Sequence, residues 1–575
     1  MPLSFASISD YRWSVRKIAV VGPGIVGMPM AALLAHARIR EGSDTPAKVL
    51  VLQRDSRTSG WKVPAINRGE SVIGGVEPGL DAIVAAAVEE GILSASHACE
   101  DAADADVVLV SVQTDKKGFE PDYGPLFEAL EGIAKALAGR PAGNIPVIVF
   151  ESTLAPSSML TVIREHFARH GLVEGRDILL GNSPNRVMPG RLVERVAAAD
   201  KLVAGLHPLT PVLIRKLYAR IVTQGTLYPT NSTTAEIVKT LENAYRDVRI
   251  AFAAEVVRYC DERDIDFYAV RDAVNARLAQ TDAASDCATA VPSGGVLVPT
   301  IGVGGHCLPK DGILLWWRKL EAGADTSRSL ILESRRINDE SPEQTLRLGE
   351  RAFGSLRGKR VTLLGLAYRF DSEDTRNSPT LSAARLLLER GSVIRIHDPY
   401  VRPRDINLER FGLGPHFTND LGAALADAEV AVFCTGHAVY GQERAKTLAA
   451  APELRAVLDG ANLFRPEHFA GTSVQYAGIG RGRGAPAPDF IDFVERSFRS
   501  MEGGVANEVQ GIVDFLNELY ATDDFNRVSF AKVQELARTC VTGCEIADTE
   551  PEVAAPEYGG SRFRLVARAA GIATP

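Results

Sequence analysis

The chain has 575 residues, a length at which several domains are expected rather than one hydrophobic core. Hydrophobic residues make up 46% and charged residues 24%, as in globular proteins, and the net charge of -8 argues against a general binder of nucleic acid. Because the 7 cysteines are scattered and odd in number, a reducing compartment is favoured over a disulfide framework. We therefore expect a cytoplasmic protein with no nucleic-acid and no membrane partner.

The first predicted elements are a strand and a helix joined by a glycine-rich turn. The strand covers residues 17–21, the helix continues to about residue 37, and the turn reads G-x-G-x-x-G with Gly22, Gly24 and Gly27. Glycines and prolines interrupt this apolar segment, so it does not predict a membrane span. In this context the turn permits close approach of a pyrophosphate, whose charge the helix N-terminus favours. A tight turn without a ligand is the alternative.

The end of the next predicted strand, residues 49–52, bears on which dinucleotide is bound. An acid at that end is expected to bind the adenosine ribose. Gln53 takes the place here, and Asp55 follows two residues later, where it could serve instead. Arg54 and Arg57 are cations that a ribose 2′-phosphate could pair with. The sequence therefore favours NAD but does not exclude NADP.

Three further strands continue the pattern of apolar runs that alternate with helical stretches. They are predicted at residues 107–112, 147–150 and 178–180. This alternation predicts a parallel sheet with ligands at the carboxyl ends of its strands. The hydroxyls of Thr114 and Thr153 would then lie near the nicotinamide end of a dinucleotide, although capping of the next helix is an alternative for Thr114.

Residues 232–263 read as one long helix. Its apolar stripe is typical of a core or dimer helix and consists of Ile237, Leu241, Ala244, Val248 and Ala251. On another face Lys239, Asn243 and Arg246 follow at i, i+4 and i+7, so that they would project on one side towards a common ligand. A solvated polar face is the alternative.

Residues 302–311, Gly-Val-Gly-Gly-His-Cys-Leu-Pro-Lys-Asp, carry the strongest indication of chemistry. Glycines let a backbone pass close to a ligand, because they lack a Cβ. Cys307 follows the glycines, and Lys310 and Asp311 lie within one further turn. A thiol beside a cation is the arrangement that favours the nucleophilic thiolate, whereas a buried and inert cysteine is the alternative.

A second α/β unit follows two helical stretches that end near residue 353. Its strands are predicted at residues 359–365, 394–397, 430–434, 456–458 and 474–476. It lacks the three-glycine turn, so its ligand need not be a dinucleotide. Beyond Gly484 a helix-prone tail follows, in which Cys540 and Cys544 have no nearby histidine, so no metal is expected. The predicted fold class is α/β, with two Rossmann-like doubly wound domains joined by a long central helix and an extra C-terminal helical tail.

Several motifs, in this order, resemble those of the UDP-glucose/GDP-mannose dehydrogenase family. Besides the turn from Gly22 to Gly27 they are Glu151-Ser-Thr153, Ser183-Pro-Asn-Arg-Val-Met-Pro-Gly190, Lys239-Thr-Leu-Glu-Asn243, Gly304-Gly-His-Cys307 with Pro309-Lys-Asp311, and the loop from Gly365 to Arg376. Within that family the Gly-Gly-His-Cys and Arg-Val-Met-Pro-Gly sequences look more like the branch that acts on UDP-N-acetylhexosamines, especially UDP-N-acetylmannosamine.

The resemblance implies a four-electron oxidation of a sugar C6 alcohol to a carboxylate with two NAD. Lys239 would take the alcohol proton, with Asn243 steadying the oxygen charge. Cys307 would add to the aldehyde as a thiohemiacetal, and a second oxidation would give a thioester that water hydrolyses. Asp311 matches the aspartate that supports Lys239, and Thr153 the threonine that positions a water.

The resemblance also implies binding residues and a division into four parts. The cofactor contacts would be Gly22, Gly24, Ile25, Val26, Gly27, Asp55, Thr114, Thr153, Lys310 and Arg376. The nucleotide-sugar contacts would be Arg186, Val187, Lys239, Asn243, Arg246, Gly304 and Arg369. The parts would be an NAD-binding Rossmann domain at 1–230, a central helical and dimerisation region with the cysteine loop at 231–350, a UDP-binding Rossmann-like domain at 351–484, and an extension of unknown role at 485–575.

Three positions depart from the family pattern. Asn185 stands where the family has a glutamate thought to activate the hydrolytic water, so Glu151, Glu194 or Asp311 with Thr153 would have to serve, or thioester hydrolysis is slow. Gln53 replaces the usual ribose acid, and Ala461 replaces an arginine often found in that place.

These features predict a UDP-N-acetylhexosamine 6-dehydrogenase for surface-polysaccharide synthesis, in the form of a homodimer or higher homo-oligomer built on the helix at 232–263. The same chemistry on UDP-glucose is one alternative. Another is a weakened family member that binds a nucleotide sugar as a scaffold or sensor.

Overall fold

The computed structural model describes residues 11–74, 77–118, 120–140, 145–187, 190–283, 295–442, 448, 451–521, 523–540 and 563–569. Cys544 and positions 188–189 of the predicted sugar-binding loop lie outside these residues, as does much of the predicted tail after residue 540. Among the described residues, no helix combines the length and the apolar character that a membrane span requires.

The secondary structure alternates between strands and helices over most of the chain. Up to residue 231 the elements are β1 Lys17–Val21, α1 Gly27–His36, β2 Lys48–Leu52, α2 Lys62–Asn67, α3 Leu80–Glu89, β3 Leu93–Ser96, β4 Val107–Val110, β5 Asp115–Lys117, β6 Glu120–Asp122, α4 Gly124–Ala138, β7 Val147–Phe150, α5 Arg164–Arg169, β8 Leu179–Asn182, α6 Leu192–Ala198, β9 Lys201–Gly205, α7 Leu209–Tyr218 and β10 Leu227–Asn231. A π-helical turn, Met159–Ile163, runs directly into α5.

The second series begins with the long helix. It comprises α8 Ser232–Glu262, α9 Phe267–Ala283, α10 Leu308–Glu321, α11 Leu330–Phe353, β11 Arg360–Leu364, α12 Pro379–Glu389, β12 Val393–His397, α13 Ile406–Arg410, β13 Phe417–Thr418, α14 Leu421–Leu425, β14 Val430–Phe433, α15 Ala438–Gln442, β15 Ala456–Asp459, β16 Gln475–Gly478, α16 Pro488–Tyr520, α17 Phe530–Cys540 and α18 Arg564–Ala569.

The chain divides into two compact units. The first unit takes in Met1–Glu242, Leu314–Gly323 and Gln510–Val541, and the second takes in Asn243–Ile313, Ala324–Val509 and Thr542–Pro575. The division into four parts stays a prediction.

The first unit contains an eight-stranded sheet in the order β10-β9-β8-β7-β4-β1-β2-β3. The strands β1, β2, β4 and β7 form near-continuous apolar runs, and both faces of the sheet carry buried side chains, which is the pattern of a sheet with helices on each face. The predicted strands at residues 17–21 and 147–150 coincide with β1 and β7. The doubly wound character predicted from the sequence is confirmed.

One edge of this sheet contradicts the prediction of a parallel sheet. β9 runs antiparallel to β8, with Gly205 opposite Gly181, and β10 then runs parallel to β9. In the described residues between β8 and β9, the one helix is the short α6, of 7 residues. An antiparallel partner needs no crossover back to the start of the preceding strand, so a short connection suffices. Neither β9 nor β10 is among the strands predicted from the sequence.

The second unit contains a six-stranded, wholly parallel sheet in the order β13-β12-β11-β14-β15-β16. Its two faces also carry separate buried clusters. Side chains set the starts of two helices, since Ser329 accepts from the Leu332 backbone N–H before α11 and Ser378 accepts from that of Thr380 before α12. The second Rossmann-like unit predicted from the sequence is confirmed.

The long helix α8 and the C-terminal helix α16 are both parts of the core. The five residues of the predicted apolar stripe on α8 are each 0% exposed in the single chain, so a dimer built on this helix would have to use another face. In the second unit Phe498 of α16 packs edge-on against Phe252 of α8, and Phe490 stacks on Tyr259. The tail therefore contributes aromatic core residues, a role that its sequence alone did not indicate.

Candidate active site

The glycine turn predicted near the start of the chain lies between β1 and α1 in the first unit. Gly22 has a φ of +88°, a left-handed conformation that favours glycine, and a Cβ on Gly27 would lie 2.1 Å from the Gly22 carbonyl oxygen. Gly24 differs, because beyond its chain neighbours no described atom lies within 4 Å of where its Cβ would be. The turn is thus tightly packed at both ends and open in the middle, which fits the approach of a pyrophosphate.

The turn also lies where the strand order of the sheet reverses. β1 has β2 on one side and β4 on the other, and this switch point is where open α/β sheets bind ligands. Ile25 is 37% exposed on the turn, whereas Val26 packs partly against the core. The geometry fits the predicted cofactor contacts of these residues, which stay predictions.

The residues after β2 form a small polar cluster. The amide of Gln53 donates to the Ser59 hydroxyl over 2.9 Å, and Asp55 is exposed, with its Oδ1 2.4 Å from where a Cβ on Gly60 would be. Arg54 pairs with the Glu128 carboxylate over 2.7 Å. The position at the strand end therefore holds an amide, and the exposed carboxylate nearby is that of Asp55.

Thr114 and Thr153 follow the neighbouring strands β4 and β7, and the structure brings them together. The Thr114 hydroxyl donates to the Thr153 carbonyl oxygen over 2.7 Å. The next helix, α4, has no side-chain cap, so the capping role considered for Thr114 does not apply. Thr153 is partly exposed and Thr114 is buried, which leaves the Thr153 side chain as the accessible one of the two.

Glu151, at the end of β7, is the centre of a buried polar network. It is 2% exposed. One carboxylate oxygen accepts from the Lys201 ammonium over 2.7 Å and from the Asn185 amide over 3.1 Å, and the other accepts from the Tyr218 hydroxyl. Burial lowers the pKa of Lys201, an effect that the charge of Glu151 opposes, and burial raises the pKa of Tyr218.

This network bears on the missing family glutamate. Asn185, which stands in its place, donates to Glu151 and accepts from the Val187 backbone N–H over 3.0 Å. Because three donors occupy the Glu151 carboxylate, its geometry suits holding Asn185 in place better than accepting a proton from water. Glu194, the second candidate, is exposed and pairs with Arg191 over 2.6 Å. Sequence reasoning missed Lys201 and Tyr218, which carry no motif.

A second charged cluster of the first unit contains two of the predicted site residues. The Glu242 carboxylate accepts from Arg186 over 2.8 Å and lies 3.5 Å from the Lys239 ammonium. Burial raises the pKa of Glu242, but the two cations outweigh burial and hold this pKa below its ordinary value. Val187, which follows Arg186 in the chain, is half-buried. Glu242 lies inside the Lys239-to-Asn243 motif but was not predicted as a site residue.

Cys307 belongs to the second unit and directly precedes helix α10. Its side chain is exposed, and its carbonyl oxygen accepts from the backbone N–H groups of Lys310 and Asp311. Asp311 is 0% exposed, accepts from the Asn243 amide over 2.6 Å and lies 3.0 Å from the Lys310 ammonium. The loop thus presents an exposed thiol directly before a helix whose first turn holds the buried Lys310 and Asp311, and the alternative of a buried cysteine is excluded.

A second loop, between β11 and α12, packs against the cysteine loop. A Cβ on Gly304 would lie 2.4 Å from the Tyr368 Cβ, and the Gly305 N–H donates to the Arg376 carbonyl oxygen over 2.8 Å. Arg376 pairs with Asp374 over 2.6 Å, and this partner, opposed by burial and assisted by Cys307, raises the pKa of Arg376. Arg369 lies on the same loop, partly exposed. Tyr368 and Asp374 were not predicted as site residues.

The three residues of α8 that were predicted to project towards one ligand differ in how far they are buried. Lys239 is buried, Asn243 is partly buried and Arg246 is exposed. Lys239 belongs to the first unit and Cys307 to the second. Their meeting at one substrate stays a prediction, as do the roles of the other site residues.

Comparison with known proteins gives one consistent family. Three domain models of the UDP-glucose/GDP-mannose dehydrogenase family match the chain: the NAD binding domain at residues 16–222, the central domain at 233–340 and the UDP binding domain at 362–466. The UDP-N-acetyl-D-mannosamine dehydrogenase of Pyrococcus horikoshii is 30% identical over 472 residues, which cover 81% of this chain and 99% of that protein.

Two further relatives carry a different sugar in their names. The NDP-N-acetyl-D-galactosaminuronic acid dehydrogenase of Ralstonia solanacearum is 30% identical over 432 residues, which cover 73% of this chain and 91% of that protein. The crystal structure of the enzyme of that name from Methanosarcina mazei superposes with a TM-score of 0.69 at 31% identity, over 82% of this chain and 96% of the other.

Proposed function

Because the chain belongs to the UDP-glucose/GDP-mannose dehydrogenase family, we propose that it oxidises the C6 alcohol of a UDP-N-acetylhexosamine to the uronic acid. It is an NAD-dependent nucleotide-sugar dehydrogenase. UDP-N-acetylmannosamine is the first candidate substrate, supported by the name of the Pyrococcus relative, and UDP-N-acetylgalactosamine is the second. The product would enter surface-polysaccharide synthesis.

The observation that carries the proposal is the position of Cys307. The exposed thiol lies directly before α10, whose first turn holds the buried Asp311 that accepts from Asn243. The loop that carries Arg369 and Arg376 packs against the cysteine loop in the same unit. An ordinary two-electron dehydrogenase has no use for such a thiol. A four-electron oxidation needs one, because the aldehyde must be held and converted to an acyl group before water attacks.

Each of the predicted site residues has a separate role in the proposed oxidation. NAD, when bound, supplies the hydride acceptor, and its pyrophosphate would lie at the turn of Gly22, Gly24 and Gly27. Lys239 takes the proton of the C6 hydroxyl, and the Asn243 amide donates to the oxygen as its charge develops. The Cys307 thiol adds to the aldehyde carbon, and after the second oxidation that carbon is a thioester. Water then releases the carboxylate and returns the thiol.

Hydrolysis is the step that this chain is least equipped to accelerate. Asn185 cannot accept a proton from water, and the Glu151 carboxylate is occupied by Lys201, Tyr218 and Asn185. We therefore propose that thioester hydrolysis limits turnover. Rapid mixing should give a burst of two NADH per active site followed by a slower steady rate, and a trace without a burst would contradict this assignment.

A panel of UDP-sugars with mass analysis of the products tests the substrate. We expect acid formation from an N-acetylhexosamine with two NADH per sugar. Turnover of UDP-glucose alone would overturn the N-acetyl assignment while leaving the dehydrogenase activity in place.

The Cys307→Ser variant tests the role of the thiol. We expect acid formation to fall at least about 1000-fold, because no thioester can form, while substrate binding persists. Cys99→Ser is the matched control, since Cys99 is a half-buried thiol in a short 3-10 helix of the first unit, and it should keep two NADH per sugar. Unchanged acid formation in Cys307→Ser would refute the covalent mechanism.

Asn185 and its occupied neighbour Glu151 favour a second candidate function, a weakened member that binds a nucleotide sugar as a scaffold or sensor. Binding of a UDP-sugar with no NADH formed from any sugar of the panel would support it. One NADH per sugar would instead indicate arrest at the aldehyde.

A further inference from the structure

Glu131 of α4, His166 of α5 and His170, which directly follows α5, form a cluster that no step of the proposed reaction uses. Each offers one ligand atom, and these three atoms all lie within 4.8 Å of one another. The His170 Nε2 lies 3.1 Å and the His166 Nε2 lies 3.9 Å from the same oxygen of Glu131. All three residues belong to the first unit.

His166 is the buried member of this cluster. It is 8% exposed, and its Nε2 has no hydrogen-bond partner among the side chains and backbone that the structure describes. Buried polar atoms are rarely left without a partner, and imidazole nitrogens are the commonest metal ligands in proteins. The Nε2 of His166, 3.9 Å from the Glu131 carboxylate, is therefore placed to ligate an ion.

A neighbouring side chain leaves one oxygen of Glu131 for the two histidines. Lys135 donates to the other carboxylate oxygen of Glu131 over 3.0 Å, so the oxygen that both imidazole rings approach is the one that faces the cluster. The cluster therefore brings two imidazole rings and a carboxylate oxygen to one place.

We propose that Glu131, His166 and His170 form a binding site for a divalent transition-metal ion of the Zn²⁺ type that bridges α4 and α5. Two imidazole nitrogens and one carboxylate oxygen are ligands that Zn²⁺ accepts, whereas Mg²⁺ and Ca²⁺ prefer oxygen alone. A tetrahedral ion with bonds near 2.0–2.1 Å spaces its ligand atoms by about 3.3 Å. The observed 3.1 and 3.9 Å lie close enough for small side-chain rotations to complete the site.

The position of the cluster indicates what the ion would do. Leu130 and Ile133 of α4 and Phe167 of α5 pack into one buried core cluster beneath it, so the ion would tie together two helices of one layer. The Glu131 side chain is 44% exposed, which leaves room for water as the fourth ligand. An ion that binds the folded chain alone raises the melting temperature.

The test uses the full-length chain after removal of metals with a chelator, with Cys307→Ser as the background so that the exposed thiol does not contribute. Zn²⁺ is titrated by calorimetry, and the absorption of bound Co²⁺ reports the ligands. We expect one ion per chain, a raised melting temperature, and a tetrahedral Co²⁺ spectrum without the band of a thiolate ligand.

His170→Gln and Glu131→Gln should each weaken Zn²⁺ binding at least about tenfold and abolish the thermal shift. Both residues are partly exposed, so folding should persist. The matched controls are His36→Gln, an exposed histidine of α1, and Glu128→Gln, an exposed glutamate of α4, which should bind as the background does.

Two results would overturn the site. One is the absence of Zn²⁺ binding, or equal binding in the site variants and the controls. The other is a loss in His170→Gln with none in Glu131→Gln, which would reduce the site to a bare histidine pair. None of these readouts depends on dehydrogenase activity, so the site can fail while the proposed function stands.

Discussion

The first strand of each large sheet is followed directly by a glycine, and the two turns that begin there differ in the groups that occupy them. Gly22 after β1 and Gly365 after β11 have φ values of +88° and +97°. A Cβ on Gly22 would lie against Ser111 after β4, and one on Gly365 against Thr435 after β14. The two backbones therefore leave their sheets in similar conformations.

What fills the space beyond the two glycines is different. Beside Gly24 no described atom occupies the place of a Cβ, whereas the turn after Gly365 holds the carboxylate of Asp398. That carboxylate accepts from the backbone N–H groups of Leu366 and Ala367 over 2.7 and 2.9 Å. It also accepts from His437, whose Nε2 is 3.0 Å away, and it is 0% exposed.

The comparison shows how a common strand arrangement is committed to different ligands. In the first unit the turn is open to a phosphate, and the place after β2 holds the neutral Gln53. In the second unit the acid after β12, Asp398, satisfies backbone donors that a pyrophosphate would otherwise use. The second unit lacks the three-glycine turn in its sequence, and in its structure the Asp398 carboxylate takes the place that a bound anion would have.

The largest effect is expected from Asp398→Asn, which removes the internal anion. An amide nitrogen would face backbone N–H donors and leave at least one of them unpaired, so the free energy of unfolding of the second unit should fall by about 2–4 kcal/mol. Hydrogen exchange at Leu366 and Ala367 measures the loss locally. Asp427→Asn, on an exposed carboxylate paired with Arg395, should change stability by no more than about 0.5 kcal/mol. Equal protection in both variants would contradict this account.

The same carboxylate predicts a pH dependence. Burial raises the pKa of Asp398, but hydrogen bonds from His437 and from the Ala367 N–H outweigh burial and hold this pKa below its ordinary 3.8. The stability that the ionised Asp398 gives to the fold is therefore fully present above pH 3.8, and it is lost as the pH falls through the folded-state pKa. The difference in melting temperature between wild type and Asp398→Asn should be constant near neutrality and shrink in acid. A difference that grows in acid would refute the assignment.

Closing the first turn should have the next largest effect. Gly24→Asp places a carboxylate where the pyrophosphate would approach, and we expect the KM for NAD to rise about 100-fold, or ~2.7 kcal/mol. UDP-sugar binding and the melting temperature should not change, because the position has space. Gly414→Asp is the matched control, at another glycine with no described atom within 4 Å of its Cβ position. A normal KM in Gly24→Asp would argue against the predicted cofactor site.

The smallest effect is expected at the end of β2. Gln53→Asp would restore the ribose acid, so discrimination against NADP should improve about tenfold, or ~1.4 kcal/mol. Gln53→Asn is the control, because asparagine has the size of aspartate without its charge. It should leave the ratio of kcat/KM values for NAD and NADP unchanged. An unchanged ratio in Gln53→Asp would place the ribose contact elsewhere, with Asp55 as the next position to test.

Much of the fold followed from local patterns, because apolar runs and glycine turns act over a few residues. The strands at the centres of both sheets, the long helix and the glycine turn were all predicted within a few residues of their observed bounds. The prediction of a parallel sheet was wrong at β9, because strand direction depends on the path of the connecting chain rather than on the strand's own residues. The tail was predicted as helix, but nothing in it indicated that Phe490 and Phe498 belong to the core.

The candidate site was predictable where a motif carries its residues on one short segment. Cys307, Lys310 and Asp311 were predicted because they follow a glycine run, and Asn243 because of its helical spacing from Lys239; the structure shows the contact of Asn243 with Asp311, while their roles stay predictions. Lys201 and Tyr218 were missed because they reach Glu151 only after three strands and a helix are assembled. The spacing of His166 and His170 is visible in the sequence, but Glu131, on another helix, is not connected to them by any pattern.

The sequence by itself determined the fold class, the glycine turn and the place of Cys307 directly after a glycine run, since each depends on neighbours along the chain. Only the tertiary structure decided which carboxylates remain accessible. Glu151 and Asp398 are both acids at strand ends, and each is buried by donors from distant segments, because burying a carboxylate is tolerated only where several such donors converge on it.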